Sequence, residues 1–283
     1  MKLLESYYHL NNEFYFMAHS ELKPSRLTLL FIHGLGDAHI HYLPYLHSVL
    51  AQDYNILIPD LLGYGKSSAA KDYRFQYQIA GLQQHIHHLH KIFNLPLSNF
   101  ILIAHSMGGI HATLLCESNF SPNIKGFINV EGSITQYGSF IAKNMLNSLK
   151  TKTFSKWFTD FKQKNIYETL GYQSIPIRPY YAAVEFCQPD AFLNNATEMA
   201  MMSNALTGKF TNIVGKKYAH LAIPRIYCYG DTLSKETIEF LSANNLLSHY
   251  FKCKTHFLLS ECFDEFITFI KNYVESLQLK INL

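Results

Sequence analysis

The sequence predicts an α/β fold, a mostly parallel central sheet flanked by helices, with a helical cap inserted after the sixth strand. Three observations predict it. Short apolar runs ending in glycine-rich or polar loops alternate with longer stretches whose apolar residues recur every three or four positions, the rhythm of strands alternating with helices. The run Asn99 to Ala104 is almost unbroken in its apolar character, as in a strand buried on both faces, and it gives way at once to His105-Ser106-Met107-Gly108-Gly109. Residues 133–220 then suspend the rhythm, with helical patterns and no convincing buried strand.

At 283 residues the chain is long enough to bury a substantial core, and nothing in it forces two independent domains. An apolar content of 48% and a formal charge of +3 describe an ordinary globular protein. The arginines Arg26, Arg74, Arg178 and Arg225 are scattered, which argues against a surface that tracks nucleic-acid phosphates. The 5 cysteines show no paired spacing and read as free thiols in a reducing compartment, so a cytoplasmic location is expected. No apolar run approaches the roughly 18 residues of a membrane span. Met1 to Ser20 has no continuous apolar core of the signal-peptide kind.

In chain order, Leu4 to Leu10 and Phe14 to His19 read as an antiparallel hairpin on the sheet edge, split by Asn11-Asn12-Glu13. Leu27 to Ile32 is a buried strand that runs into His33-Gly34-Leu35-Gly36-Asp37. His39 and His41, in the same loop, read as polar surface. Tyr42 to Leu50 has helical spacing, and Tyr54 to Ile58 is a strand leading into the segment Pro59 to Ser67. From Tyr73 to Phe93, Ile79, Leu82, Ile86, Leu89 and Phe93 form one buried helix face. His85, His87, His88 and His90 fall mostly off that face, and no carboxylate or thiolate is at hand to complete a metal site with them. Ile124 to Val130 is a further buried strand that ends at Glu131.

Within 133–220 the amphipathic stretches include Phe154, Phe158 and Phe161, and later Met199, Met202 and Leu206. Trp157, Tyr180, Tyr181 and Met202 are the candidates for a substrate-facing wall. The core is thus expected to be 1–132 with 221–283, and the cap 133–220. Strand and helix alternation returns with Arg225 to Tyr229, Lys235 to Asn245 and His249 to Cys253. A last helix follows, its buried stripe running through Phe263, Phe266, Ile267, Ile270, Val274 and Leu277.

The chemistry rests on the turn at Ser106. Ala104, Ser106 and Gly108 alternate as in a nucleophile elbow, where a strained strand-to-helix turn exposes the serine and admits only small neighbours. The alternative is a helix whose N-cap is Ser106. Acyl transfer also needs two N–H donors aimed at a developing oxyanion, and the amides of Leu35 and Met107 are the natural pair if their strands are neighbours. His256, in the loop between the last strand and the last helix, is the candidate base. Glu131, a carboxylate at the mouth of a buried strand, needs a partner.

These segments resemble the α/β-hydrolase fold family over roughly residues 27–275. The resemblance rests on Phe31-Ile32-His33-Gly34, the stretch Pro59 to Ser67, the elbow Ala104 to Gly109 and His256. It implies a serine hydrolase acting on an ester or related acyl bond of a small, largely apolar molecule, with no metal and no organic cofactor. A thioesterase or carbon-carbon bond hydrolase would use the same residues, and a catalytically silent ligand receptor would keep the fold alone. Epoxide hydrolases and haloalkane dehalogenases of the family use aspartate as nucleophile, which Ser106 disfavours. The chain departs from the family at the acid: Leu233 stands where the usual aspartate is expected. Asp231 or Glu131 is left to orient His256, and Glu131 resembles members that carry the acid after the preceding strand.

Overall fold

The computed structural model describes residues 3–171, 175–203 and 212–281. Its eight-stranded sheet consists of β1 (Leu4–Leu10), β2 (Glu13–His19), β3 (Thr28–Ile32), β4 (Asn55–Asp60), β5 (Phe100–His105), β6 (Ile124–Val130), β7 (Arg225–Tyr229) and β8 (Ser248–Tyr250). The spatial order is β1-β2-β4-β3-β5-β6-β7-β8. The hairpin β1–β2 is the antiparallel edge, joined to β4 by an antiparallel pairing, and all remaining pairs are parallel. Asn11 and Asn12 close the hairpin at φ 51° and 67°, left-handed values that asparagine tolerates better than most side chains.

Strand periodicity divides the core between the two sheet faces. On β3, Leu29 and Phe31 pack with Ile56, Ile101 and Phe266, whereas Leu30 and Ile32 pack with Leu57, Leu102 and Leu82. All four β3 side chains are fully buried, each stabilising the fold by about 1.5–3 kcal/mol. This two-sided burial is why the parallel strands read as continuous apolar runs.

Between β6 and β7 the described residues carry helices only, including Phe140–Ser148, Phe154–Asp160, Arg178–Glu185, Pro189–Ser203 and Ile213–His220. Leu206 lies outside the described residues. Helix Pro189–Ser203 is joined to the sheet side by a buried polar cluster. Asn195 accepts from Tyr64 Oη at 2.8 Å and from Gln78 Nε2 at 3.2 Å, and donates to the Tyr73 carbonyl at 2.5 Å.

Three local expectations change. The single helix over Tyr42 to Leu50 is broken into a 3-10 turn (His39–Tyr42) and two short helices (Leu43–Leu46 and Leu50–Asp53). Ser48 interrupts it by donating to the Tyr45 carbonyl and accepting from the Leu50 amide, a local alternative to helical bonding. His85 and His90, expected off the buried face of helix Phe75–Ile92, are buried: the edge hairpin covers His85, and the His90 ring packs on Phe100 of β5. Ser6 Oγ lies 3.2 Å from His85 Nε2, and the Tyr8 ring stacks on His85. His39 and His41 are also buried rather than surface groups, each beside a buried aspartate. Among the described residues no three His, Cys, Asp or Glu side chains converge as a metal site would require, and no helix is long and apolar enough to cross a membrane.

The buried imidazoles set an acid limit on stability. Burial pushes His85 and His111 down to about 3, so they stay neutral in the fold while the unfolded chain protonates them below about pH 6.5. A lowered folded pKa leaves stability complete above the unfolded value and removes it as pH falls through the window between the two. Urea unfolding followed by circular dichroism should show a loss of about 2 kcal/mol per such imidazole between pH 7 and about pH 5, and His85→Leu should flatten that slope.

Candidate active site

β5 delivers the chain to Ser106, whose φ of 52° lies in the left-handed region at a cost of about 1–3 kcal/mol for a non-glycine residue. Hydrogen bonds hold the turn on both sides. The Ser106 amide donates to the Val130 carbonyl at 2.9 Å, and its carbonyl accepts from the Gly109 amide at 3.0 Å. The helix that follows, Gly108–Cys116, has Met107 at its N-cap and no side-chain cap, so Ser106 Oγ is not engaged in capping. Gly108 is required by close approach: a Cβ there would sit 2.3 Å from the Ile32 carbonyl oxygen.

The parallel register sets Ile32 beside Ala104, so the loop after β3 passes next to the elbow. His33 fixes the start of this loop. Its Nε2 accepts from the Leu61 amide at 3.0 Å, which leaves Nδ1–H to donate to the Gly34 carbonyl at 2.8 Å, and burial holds its pKa down in keeping with that neutral form. Tyr180, from the inserted helix Arg178–Glu185, donates its hydroxyl to the Leu35 carbonyl at 2.8 Å. Among the described residues no turn or loop bond uses the Leu35 or Met107 N–H. Asp37, at the far end of the loop, is fully buried. Burial opposes its charge, but the His41 ring hydrogen-bonded to it holds its carboxyl below the usual range.

His256 and Glu131 meet on the opposite side of Ser106. His256 Nδ1 lies 2.5 Å from Glu131 Oε2, and a carboxylate can only accept, so Nδ1 carries the proton. Glu131 also accepts from the Gly230 amide at 2.8 Å and from Thr232 Oγ1 at 3.3 Å, which satisfies a charge that is only 3% exposed. Like Ser106, Glu131 adopts a positive φ, 47°, as the chain turns off the strand end. Asp231 faces away: its carboxylate accepts from Tyr250 Oη at 2.5 Å. Among the described residues His256 Nε2 is buried without a hydrogen-bond partner, and it lines the same pocket of about 20 Å³ as Ser106, Gly34 and Leu35. Ser106 Oγ and Nε2 are not hydrogen-bonded to each other, a separation common before substrate binds.

A chamber of about 620 Å³ adjoins this pocket, sharing Gly138, Phe140, Ile141, His256 and Phe257 with it. Of the candidate substrate-facing residues, Tyr180 lines the small pocket and Trp157 the chamber. Tyr181 and Met202 line neither. Tyr181 packs its ring against Tyr167, and Met202 packs against the core. Sequence reasoning missed Phe140, whose ring meets His256 edge-on at 5.7 Å. Nothing in its neighbourhood marks it, because its place depends on how residues 133–139 fold back over the elbow.

A family model described as alpha/beta hydrolase fold matches residues 28–221. A "Putative esterase/lipase" from Haemophilus influenzae is 27% identical over 220 residues, 75% of this chain and 69% of that protein. Among solved structures, a mutant of the N-acyl homoserine lactonase AidH complexed with N-hexanoyl homoserine superposes with a TM-score of 0.72 at 14% identity, covering 98% of each chain. The epoxide hydrolase CorEH superposes at 0.73 with 14% identity, covering 98% of this chain and 100% of its own. At such identities the two structures show a shared fold and nothing finer.

The elbow's dependence on close approach is testable. Gly108→Ala should destabilise the protein by about 1–3 kcal/mol or more in urea unfolding, since the new methyl meets backbone atoms that cannot rotate away. Gly34→Ala, whose Cβ would meet its nearest neighbours at 3.2 Å, should cost less.

Proposed function

The chain belongs to the α/β-hydrolase fold family, and we propose that it is a serine hydrolase, cleaving an ester or related acyl bond of a largely apolar small molecule through an acyl-enzyme. One observation carries this reading. The proton on His256 Nδ1 is committed to Glu131, which leaves Nε2 as a buried, unpartnered base in the pocket that also holds Ser106.

In this mechanism Nε2 takes the hydroxyl proton as Ser106 Oγ attacks the acyl carbon. The tetrahedral oxyanion is held by the Leu35 and Met107 amides, donors already oriented by the loop and the elbow, so little reorganisation is needed as charge develops. The imidazolium is stabilised by Glu131 and then gives its proton to the leaving group. Water, deprotonated by the same nitrogen, attacks the acyl-enzyme and releases the acid. Glu131 is the orienting acid, and Asp231, committed to Tyr250, is a bystander. Residues 133–220 serve as the cap, with Trp157 and Tyr180 on its substrate side. A chamber of about 620 Å³ suits a substrate body of drug-like size, and Trp157, Phe161 and Ile166 give it an apolar wall. Open-chain esters, thioesters and lactones belong in the first screen.

A fluorophosphonate probe should label Ser106, as located by mass spectrometry of the modified peptide, and both Ser106→Ala and His256→Ala should abolish the labelling. On an ester that is turned over, Ser106→Ala should lower kcat by at least about 10³-fold. Glu131→Gln should lower it by about 10²–10⁴-fold, whereas Asp231→Asn should leave it within about twofold. The reverse ranking of the two acids would remove Glu131 from its role. A folded protein that takes no label would remove the serine mechanism.

A further inference from the structure

A second chain of polar groups runs beneath the pocket. Asp37 accepts from the Ala38 amide at 2.9 Å, from Tyr42 Oη at 3.0 Å and from His41 Nδ1–H at 2.9 Å. The His41–Asp37 pair is almost wholly shielded from solvent. With Nδ1–H donating to Asp37, the Nε2 of the same ring faces the Ser260 hydroxyl and is in hydrogen-bond contact with it. Ser260 lies in the short helix Leu258–Glu261, directly after the loop that carries His256.

Two further ties reach the same segment. Tyr45 Oη donates to the Leu259 carbonyl at 2.5 Å. His105 Nε2 lies 2.9 Å from the His256 carbonyl, and a carbonyl only accepts, so this nitrogen carries the proton of a ring that burial keeps neutral. Positions 256, 259 and 260 are therefore each fastened from the side of the sheet that supplies Ser106 and Leu35. Asp37 and Leu35 belong to one loop, so a single element carries the proposed oxyanion donor and anchors the segment of the proposed base.

We propose that Ser260, acting through His41 and Asp37, is a positioning residue that sets the placement of His256 relative to Ser106. The proposal rests on the serine-hydrolase reading, with His256 as base. The order Asp37, His41, Ser260 also matches acid, base and nucleophile, but Ser260 lines neither the small pocket nor the chamber, so a substrate held in either does not meet it. Its value is geometric. Proton transfer needs Nε2 within hydrogen-bond reach of both Ser106 Oγ and the leaving group, and a misplacement of about 1 Å costs on the order of 10²-fold in rate.

The test compares the full-length protein with Ser260→Ala, Ser260→Thr, Tyr45→Phe and Ser106→Ala, using p-nitrophenyl butyrate and a fluorophosphonate probe. Ser260→Ala should lower kcat and the labelling rate at Ser106 by about tenfold or more, with KM within about twofold and the melting temperature nearly unchanged. Ser260→Thr, which restores a hydroxyl, should recover most of the loss, and Tyr45→Phe should lower kcat in the same pattern. Wild-type kcat in Ser260→Ala, equal losses in the alanine and threonine variants, or fluorophosphonate on Ser260 would each overturn the proposal. Full turnover by Ser106→Ala would instead overturn the reading on which it rests, an outcome none of the Ser260 variants can imitate.

Discussion

Parallel pairing of β5 with β3 on one side and β6 on the other brings three strand ends to nearly the same height, with Ile32 beside Ala104 and His105 beside Val130. In a parallel sheet every strand leaves by the same edge, so the loops that follow these strands converge without any long-range steering. Ser106 and Glu131 directly follow β5 and β6, and Leu35 lies three residues beyond β3. A slip of one residue in either pairing would turn each exit toward the other face of the sheet, which is why fully apolar, two-sided strands are so closely tied to the site they support.

The same edge concentrates charge in a buried setting. Asp37, Asp60 and Glu131 are all nearly inaccessible, and each faces a histidine: His41, His39 and His256. A carboxylate removed from water needs such donors, and each imidazole is in turn fixed in one tautomer by the carboxylate it serves. The Asp60 pair secures the segment after β4, where backbone amides of His39 and Lys66 also donate to its carboxylate. The three pairs differ in what the second imidazole nitrogen meets. For His41 it meets Ser260, whereas for His256 it is left buried and unpartnered beside Ser106.

The inserted helices are attached through polar contacts at sensitive places. Tyr180 bonds the carbonyl of Leu35, and Asn195 joins Tyr64, Tyr73 and Gln78. Gln78 in turn contacts His111, in the helix that leaves the elbow. Buried polar connections of this kind specify one arrangement more sharply than apolar contact does, because a displaced partner leaves an unsatisfied group in a low-dielectric interior.

Much of the fold was legible in the sequence because local patterns carry it. Two-sided burial writes unbroken apolar runs, amphipathic helices write a spacing of three or four, and the tight elbow demands Gly108. Ser106 and His256 stand out through their places in strand-end loops. The choice between Glu131 and Asp231 as partner of His256 was not legible, since it depends on where side chains from β6 and from the loops after β7 and β8 come to rest. Only the assembled sheet brings Glu131 to His256 and Asp231 to Tyr250. The histidines were misread for the same reason: spacing along a helix cannot reveal that the edge hairpin covers His85, or that Asp37 and Asp60 wait beside His41 and His39. By itself the sequence determined the elements and the turns between them, which follow from short-range sterics and periodic burial. Which polar groups meet was decided by tertiary structure, because separation along the chain does not fix it: Glu131 and His256 meet across 125 positions, whereas Asp231 pairs with Tyr250, 19 positions on, and not with His256.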